Sequence, residues 1–128
     1  MNKQAMTSGS LFAMLAVILG AFGAHALKAR LAPEQLTVFE TGVRYHFYHS
    51  FALLITGIAY SSYPARQLKL ATTFFIVGIL LFSGSLYAMS LLSMSGVSLG
   101  PVGIVTPIGG LFFILGWLFL FLGVTKKN

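Results

Sequence analysis

The side chains able to do chemistry are few, and most fall on two stretches of the chain. His46 and His49 are three residues apart, so on a helix both rings face one side, and His25 could add a third nitrogen. No carboxylate is placed to complete such a set, and no metal is expected. Ser83 or Ser85 with His49 would make a nucleophile–base pair, but it lacks the acid that orients the histidine. The chain holds only two carboxylates, Glu34 and Glu40. No catalytic residue and no cofactor is therefore assigned, and the chain is not expected to be an enzyme. Tyr45, His49, Ala52 and Thr56 recur at i, i+4, i+7 and i+11, a small and polar stripe. Ser83, Tyr87 and Ser90 form a second one.

The elements that must position these residues are apolar runs. Of 128 residues, 57% are hydrophobic and 8% charged, and mean hydropathy is +0.90. A soluble surface needs far more charge, which excludes water-soluble and disordered classes. With no cysteine there is no disulfide, thiolate metal site or redox dithiol. The net charge of +6 does not imply nucleic acid as a partner. The cations sit at the ends of apolar runs, where headgroups hold them, rather than on a basic face interleaved with aromatics.

The expected fold is an all-α membrane protein, one domain of four transmembrane helices in a bundle. The spans are read at about residues 9–26, 44–60, 70–92 and 106–124. Gly9 to Ala26 carries no charge and is about 27 Å long as a helix. With Lys3 before it and Ala24-His25-Ala26 at its end, it imitates a cleavable signal peptide, but it is read as a span. Pro107 suits the first turn of span four. Between spans one and two, Pro33-Glu34 is a helix-start signal, followed by Leu36, Phe39 and Val43 at helical spacing. Two readings stay open there: a short amphipathic helix on the outer interface that breaks near Gly42, or the first turns of a long second helix. The loop Ser93 to Val105, with Pro101, is neutral.

An even number of spans puts both termini on one side. That side carries Lys3, Arg66, Lys69, Lys126 and Lys127, the other at most Lys28, Arg30 and Arg44. The bias predicts a multi-pass protein with cytoplasmic termini. Glu40 and Arg44, four apart, would pair near the outer interface, unless Arg44 holds a lipid phosphate.

Helices in lipid associate through close backbone approach, so small residues mark contacts. Ala16, Gly20 and Ala24 recur every four residues on span one, and Gly84 and Ala88 do so on span three. Gly109, Gly116 and Gly123 recur every seven on span four, a spacing that keeps one seam toward a left-handed neighbour. These faces can serve the bundle or a second protomer, and a homo-oligomer or a partner membrane protein is expected besides membrane lipids. His25, Tyr45, His49, Ser83, Ser85, Tyr87 and Thr106 come from all four spans and fall in the outer half of the bilayer. Polar groups there must find partners, so they are expected to face one another, with Ser83 or Tyr87 within hydrogen-bond reach of His49. The cluster is either interhelical glue or a polar pocket open to the outer face. The first function expected is a non-enzymatic interaction, accessory or scaffold protein of the membrane. The alternative is a small-solute or lipid-binding or transport protein using that pocket.

Several segments together resemble a known family. They are Gly20-Ala-Phe-Gly-Ala-His25, Thr41-Gly42 with Tyr45 and His49, Phe82-Ser-Gly-Ser-Leu-Tyr87, Thr106-Pro-Ile-Gly-Gly110 and Gly116-Trp117. The likeness covers nearly the whole chain, in order. It is to the small four-span, YgdD/YwdK-like proteins grouped as domain of unknown function 423, with mitochondrial relatives in animals. That resemblance implies a bacterial inner-membrane protein of four helices, with no established activity. The family usually has Gln at the position of His46 and does not fix Glu40 or Arg44, so those three inherit no role from it.

Overall fold

In hydrocarbon a backbone has no water to bond, so an apolar run closes its N–H and C=O groups within itself and becomes a helix. The computed structural model describes residues 2–96 and 103–126 and follows that rule: the described elements are helical and form four rods. Rod one is α1 (Lys3–Phe22), capped by the Asn2 side chain, which accepts from the backbone N–H groups of Gln4 and Ala5. It runs on through a wide π turn, Gly23–Leu27. Rod two is α2 (Pro33–Ser62), begun by Pro33 and Glu34 in its first turn and stopped before Pro64. Rod three comprises α3 (Arg66–Gly78), a second π turn (Ile79–Ser83), α4 (Gly84–Leu92) and a tight final turn. Gly96, at φ 73°, ends it in the left-handed region that favours glycine. Rod four is α5 (Val105–Thr125). The loop around Pro101 and the charge at Lys127 lie outside the described residues.

Three rods, Lys3–Leu27, Arg66–Ser95 and Val105–Thr125, are long and apolar enough to cross a membrane. α2 is long enough, at 30 residues or about 45 Å, but Glu40, Arg44, His46 and His49 lower its hydropathy. The helix is unbroken through Gly42, so the separate interfacial helix is not formed, and Leu36, Phe39 and Val43 belong to the first turns of α2. The glycine serves close approach instead of a break. A Cβ there would stand 2.9 Å from Cε1 of Tyr87.

Burial is arranged for lipid. Large apolar side chains such as Val17, Ile18, Ile58, Ile114 and Phe121 are exposed on the flanks of the rods, while Ser50, Thr56, Thr72 and Ser90 are fully buried. Those four hydroxyls bond back to the carbonyls of His46, Ala52, Leu68 and Leu86, one turn earlier on their own helices.

The rods associate chiefly as two antiparallel pairs, α1 with α2 and α3 with α5. The heptad glycines of α5 all face rod three. Gly109 lies against the backbone of Phe82, Gly116 against the Phe75 ring and Gly123 against Leu68. Their partners, Leu68, Phe75 and Phe82, are also seven apart. On rod one, Ala16 is fully buried and Gly20 faces Val43, while Gly9 and Gly23 take Leu54 and Phe39. The expected face stops there, because Ala24 is exposed. The pair Gly84 and Ala88 forms no seam between the described rods: among the described residues nothing lies within 4 Å of a Cβ at Gly84, and Ala88 is half-buried.

Candidate functional site

The polar residues expected as one cluster divide among separate contacts. Facing α5, α2 presents His49, which is 5% exposed. Its ring is stacked on Phe113, with centroids 3.5 Å apart and planes within 7°. The Trp117 indole donates to Nε2 at 3.1 Å. An indole N–H is only a donor, so Nε2 must accept, and the proton sits on Nδ1. From there it is donated to the Tyr45 carbonyl at 2.8 Å. Both nitrogens of this neutral ring are satisfied. Its partners are not Ser83 or Tyr87, the two expected, because both are engaged elsewhere.

Toward α1 and α4 the same helix presents His46, whose Nδ1 meets the Tyr87 hydroxyl at 2.8 Å. The Phe12 ring stands edge-on to it at 5.9 Å. Its Nε2 is buried without a hydrogen-bond partner among the described residues. The two histidines thus serve different neighbours. Three residues subtend about 300° of helical turn, so their rings diverge by about 60°. No group of three or more potential metal-ligating side chains occurs among the described residues.

Ser83 donates to the Gly42 carbonyl at 2.7 Å, a direct tie between rods three and two. Ser85 and Thr106 share a hydrogen bond of 2.6 Å that joins rods three and four. Both use the wide turn at Ile79–Ser83, which sets the start of α4 against its neighbours. His25 does not join any of these contacts. It lies exposed in the first π turn. Tyr45 is 37% exposed, with its ring against Phe82.

Tyr45 and His49 do share one feature: both line a groove of about 510 Å³ with Tyr48, Phe82, Gly110, Phe113, Ile114 and Trp117. Its rim residues Tyr48, Ile114 and Trp117 are exposed on the sides of α2 and α5, so it opens sideways toward lipid. Its wall is aromatic and its floor carries an imidazole that is already occupied. Sequence reasoning did not find Tyr48, Phe113 or Trp117 as site residues. A usable signal was present in the single tryptophan, a donor-only group inside an apolar span that requires an acceptor on another helix.

Comparison with known proteins finds relatives that are named as membrane proteins. A family model described as "Protein of unknown function (DUF423)" matches residues 19–110. The UPF0382 membrane protein SSP2132 of Staphylococcus saprophyticus is 41% identical over 118 residues, covering 92% of this chain and 93% of its own. The UPF0382 membrane protein YwdK of Bacillus subtilis is 39% identical over 121 residues, with 92% and 93% coverage. A UPF0382 membrane protein of Haemophilus influenzae is 35% identical across 100% of this chain and 98% of its own. No solved structure is a significant match.

Proposed function

Since the chain belongs to the DUF423 family of membrane proteins, we propose that it is a non-enzymatic interaction or accessory protein acting by lateral contact within the bilayer. The observation that carries this reading is the contrast between a closed interior and an open flank. Ser83, Ser85, Thr106, Tyr87 and His49 each meet a partner in the same chain, which fits interhelical glue better than a hydrated pocket. Only Glu34 and Glu40 could supply an acid, and neither falls among these contacts. The aromatic groove over His49 is turned to the membrane plane, where another helix can seat side chains on it. The partner is a membrane protein, a second copy of the chain included. The α5 glycine seam is not its docking face, being filled by rod three.

A photoreactive benzoylphenylalanine at Ile114, on the groove rim, tests this in intact cells. A discrete protein adduct is expected there and none from the same probe at Val17, an equally lipid-exposed site on α1. Diffuse labelling alike at both sites overturns the proposal. The groove volume also falls in the range of small-molecule pockets, about 300–1,000 Å³, which supports a second reading as a site for a lipid-soluble ligand. An adduct at Ile114 of one defined small molecule, without protein, would select it.

We further propose a bacterial inner-membrane location with cytoplasmic termini, from the lysines and arginines at the terminal side. Single cysteines can be introduced without background. Lys126→Cys is expected to resist an impermeant thiol reagent in intact cells and Ala29→Cys to react. The opposite pattern reverses the orientation.

A further inference from the structure

The charged residues least explained by the fold are Glu40 and Arg44. Both are exposed on one face of α2, and among the described residues neither forms an ion pair or a hydrogen bond. Their depth makes that costly. Phe39 packs on Gly23 and Val43 on Gly20, so Glu40 and Arg44, each one residue further along α2, stand about five and eight residues below Leu27, the end of rod one. At 1.5 Å per residue these are depths of about 7 and 12 Å. A guanidinium at that depth in hydrocarbon needs either an anion beside it or an extended reach to the headgroups.

The surface between them is shaped to take one. A groove of about 310 Å³ is lined by Gly20, Gly23, Ala24, Phe39, Val43 and the two charged residues. The small residues of rod one leave room for a headgroup to lie along the helix, and the charges stand at one side, the carboxylate nearer the membrane surface. That order matches a phospholipid whose headgroup carries a phosphodiester below and a terminal primary ammonium above. We propose that the α1–α2 groove is a binding site for a zwitterionic phosphoethanolamine lipid in the leaflet remote from the termini. Arg44 takes the phosphate through charge-assisted hydrogen bonds, Glu40 takes the ammonium, the headgroup lies against Gly20 and Ala24, and the acyl chains run on below Arg44 toward the bilayer centre. An anionic headgroup offers Arg44 the same phosphate but sets no cation against Glu40. A quaternary ammonium cannot donate to the carboxylate.

Native mass spectrometry of the full chain, with phosphatidylethanolamine, phosphatidylglycerol and phosphatidylcholine of matched acyl chains, tests the site. The expected result is one retained phosphatidylethanolamine, preferred over both others. Arg44→Gln should weaken its retention about tenfold, the loss of a charge-assisted contact. Glu40→Gln should keep a bound phospholipid but erase the preference over phosphatidylglycerol. Both side chains are exposed, so the variants should keep the wild-type melting temperature in lipid-free detergent, and Lys28→Gln should leave lipid retention unchanged. Glycerophosphoethanolamine, the headgroup without chains, should not compete. Equal retention of the three lipids by the wild type overturns the proposal, as does unaltered selectivity in both variants. Competition by the free headgroup would overturn the bilayer source of the ligand.

Discussion

The α3–α5 pair and the α1–α2 pair solve the same packing problem with different regularity. On α5 three glycines seven residues apart receive Phe82, Phe75 and Leu68, themselves seven apart on rod three. On rod one the receiving positions Gly9, Gly20 and Gly23 follow no repeat, and their guests Leu54, Val43 and Phe39 range from aliphatic to aromatic. The approach differs too. At Gly109 the neighbour is the Phe82 backbone, which cannot swing aside, whereas at Gly20 it is a valine methyl 3.4 Å from a Cβ position. A repeated seam fixes two rods along their length. An irregular one fixes them at separate points and leaves other stretches, such as the groove beside Glu40, unfilled.

Alanine substitution separates the two kinds of seam most sharply. Gly109→Ala is expected to cost about 3 kcal/mol or more, since the new methyl overlaps main chain. Gly20→Ala should be neutral or gain up to about 1 kcal/mol, because the space is there and alanine favours helix. Thermal unfolding in detergent measures both, and equal effects would erase the distinction. An intermediate case is Gly116→Ala. A Cβ there meets the Phe75 ring edge, and a loss of about 1–2 kcal/mol is expected. Phe75→Leu should relieve part of it, so the double variant is more stable than the two separate losses add up to. Strict additivity would show that the loss at Gly116 does not come from contact with the Phe75 ring.

The smallest effect belongs to the polar ties. His49→Leu removes the acceptor of the Trp117 indole, and hydrogen bonds within membrane bundles average about 0.6 kcal/mol with a maximum near 1.7 kcal/mol. His49→Gln offers a replacement acceptor and should keep most of the stability. A loss from His49→Leu as large as that from Gly109→Ala would mean that polar pairing, and not close approach, holds the bundle.

Spacing along one helix was readable, and spacing between helices was not. The heptad of Gly109, Gly116 and Gly123 is visible in the chain, and so is that of Leu68, Phe75 and Phe82, but nothing within either helix pairs the two. The stripe on α2 runs through His49, but its neighbour His46 diverges toward a different rod, and Tyr45 is partly exposed with its ring against Phe82. Which group on another helix meets them depends on the rotation and height of each rod. Those are fixed by steric contacts such as Phe82 on Gly109, which no single-helix pattern contains. The continuity of α2 is hidden in the sequence for a related reason. Gly42 looks like a break until the Tyr87 ring that occupies its missing side chain is seen.

The wide turn at Ile79–Ser83 is, in effect, one surplus residue absorbed by a helix. Deleting a single residue from it would close the bulge into plain α-helix and leave the residues on either side on the faces they hold now. The same deletion in regular helix, within Arg66–Gly78 or Gly84–Leu92, has no surplus to draw on and would rotate all that follows by about 100°. Ser85 would then turn from Thr106 and Tyr87 from His46 in one step. Chain length in this rod is therefore freest at Ile79–Ser83. Among related sequences, a one-residue deletion in rod three should fall there rather than in the regular helix on either side.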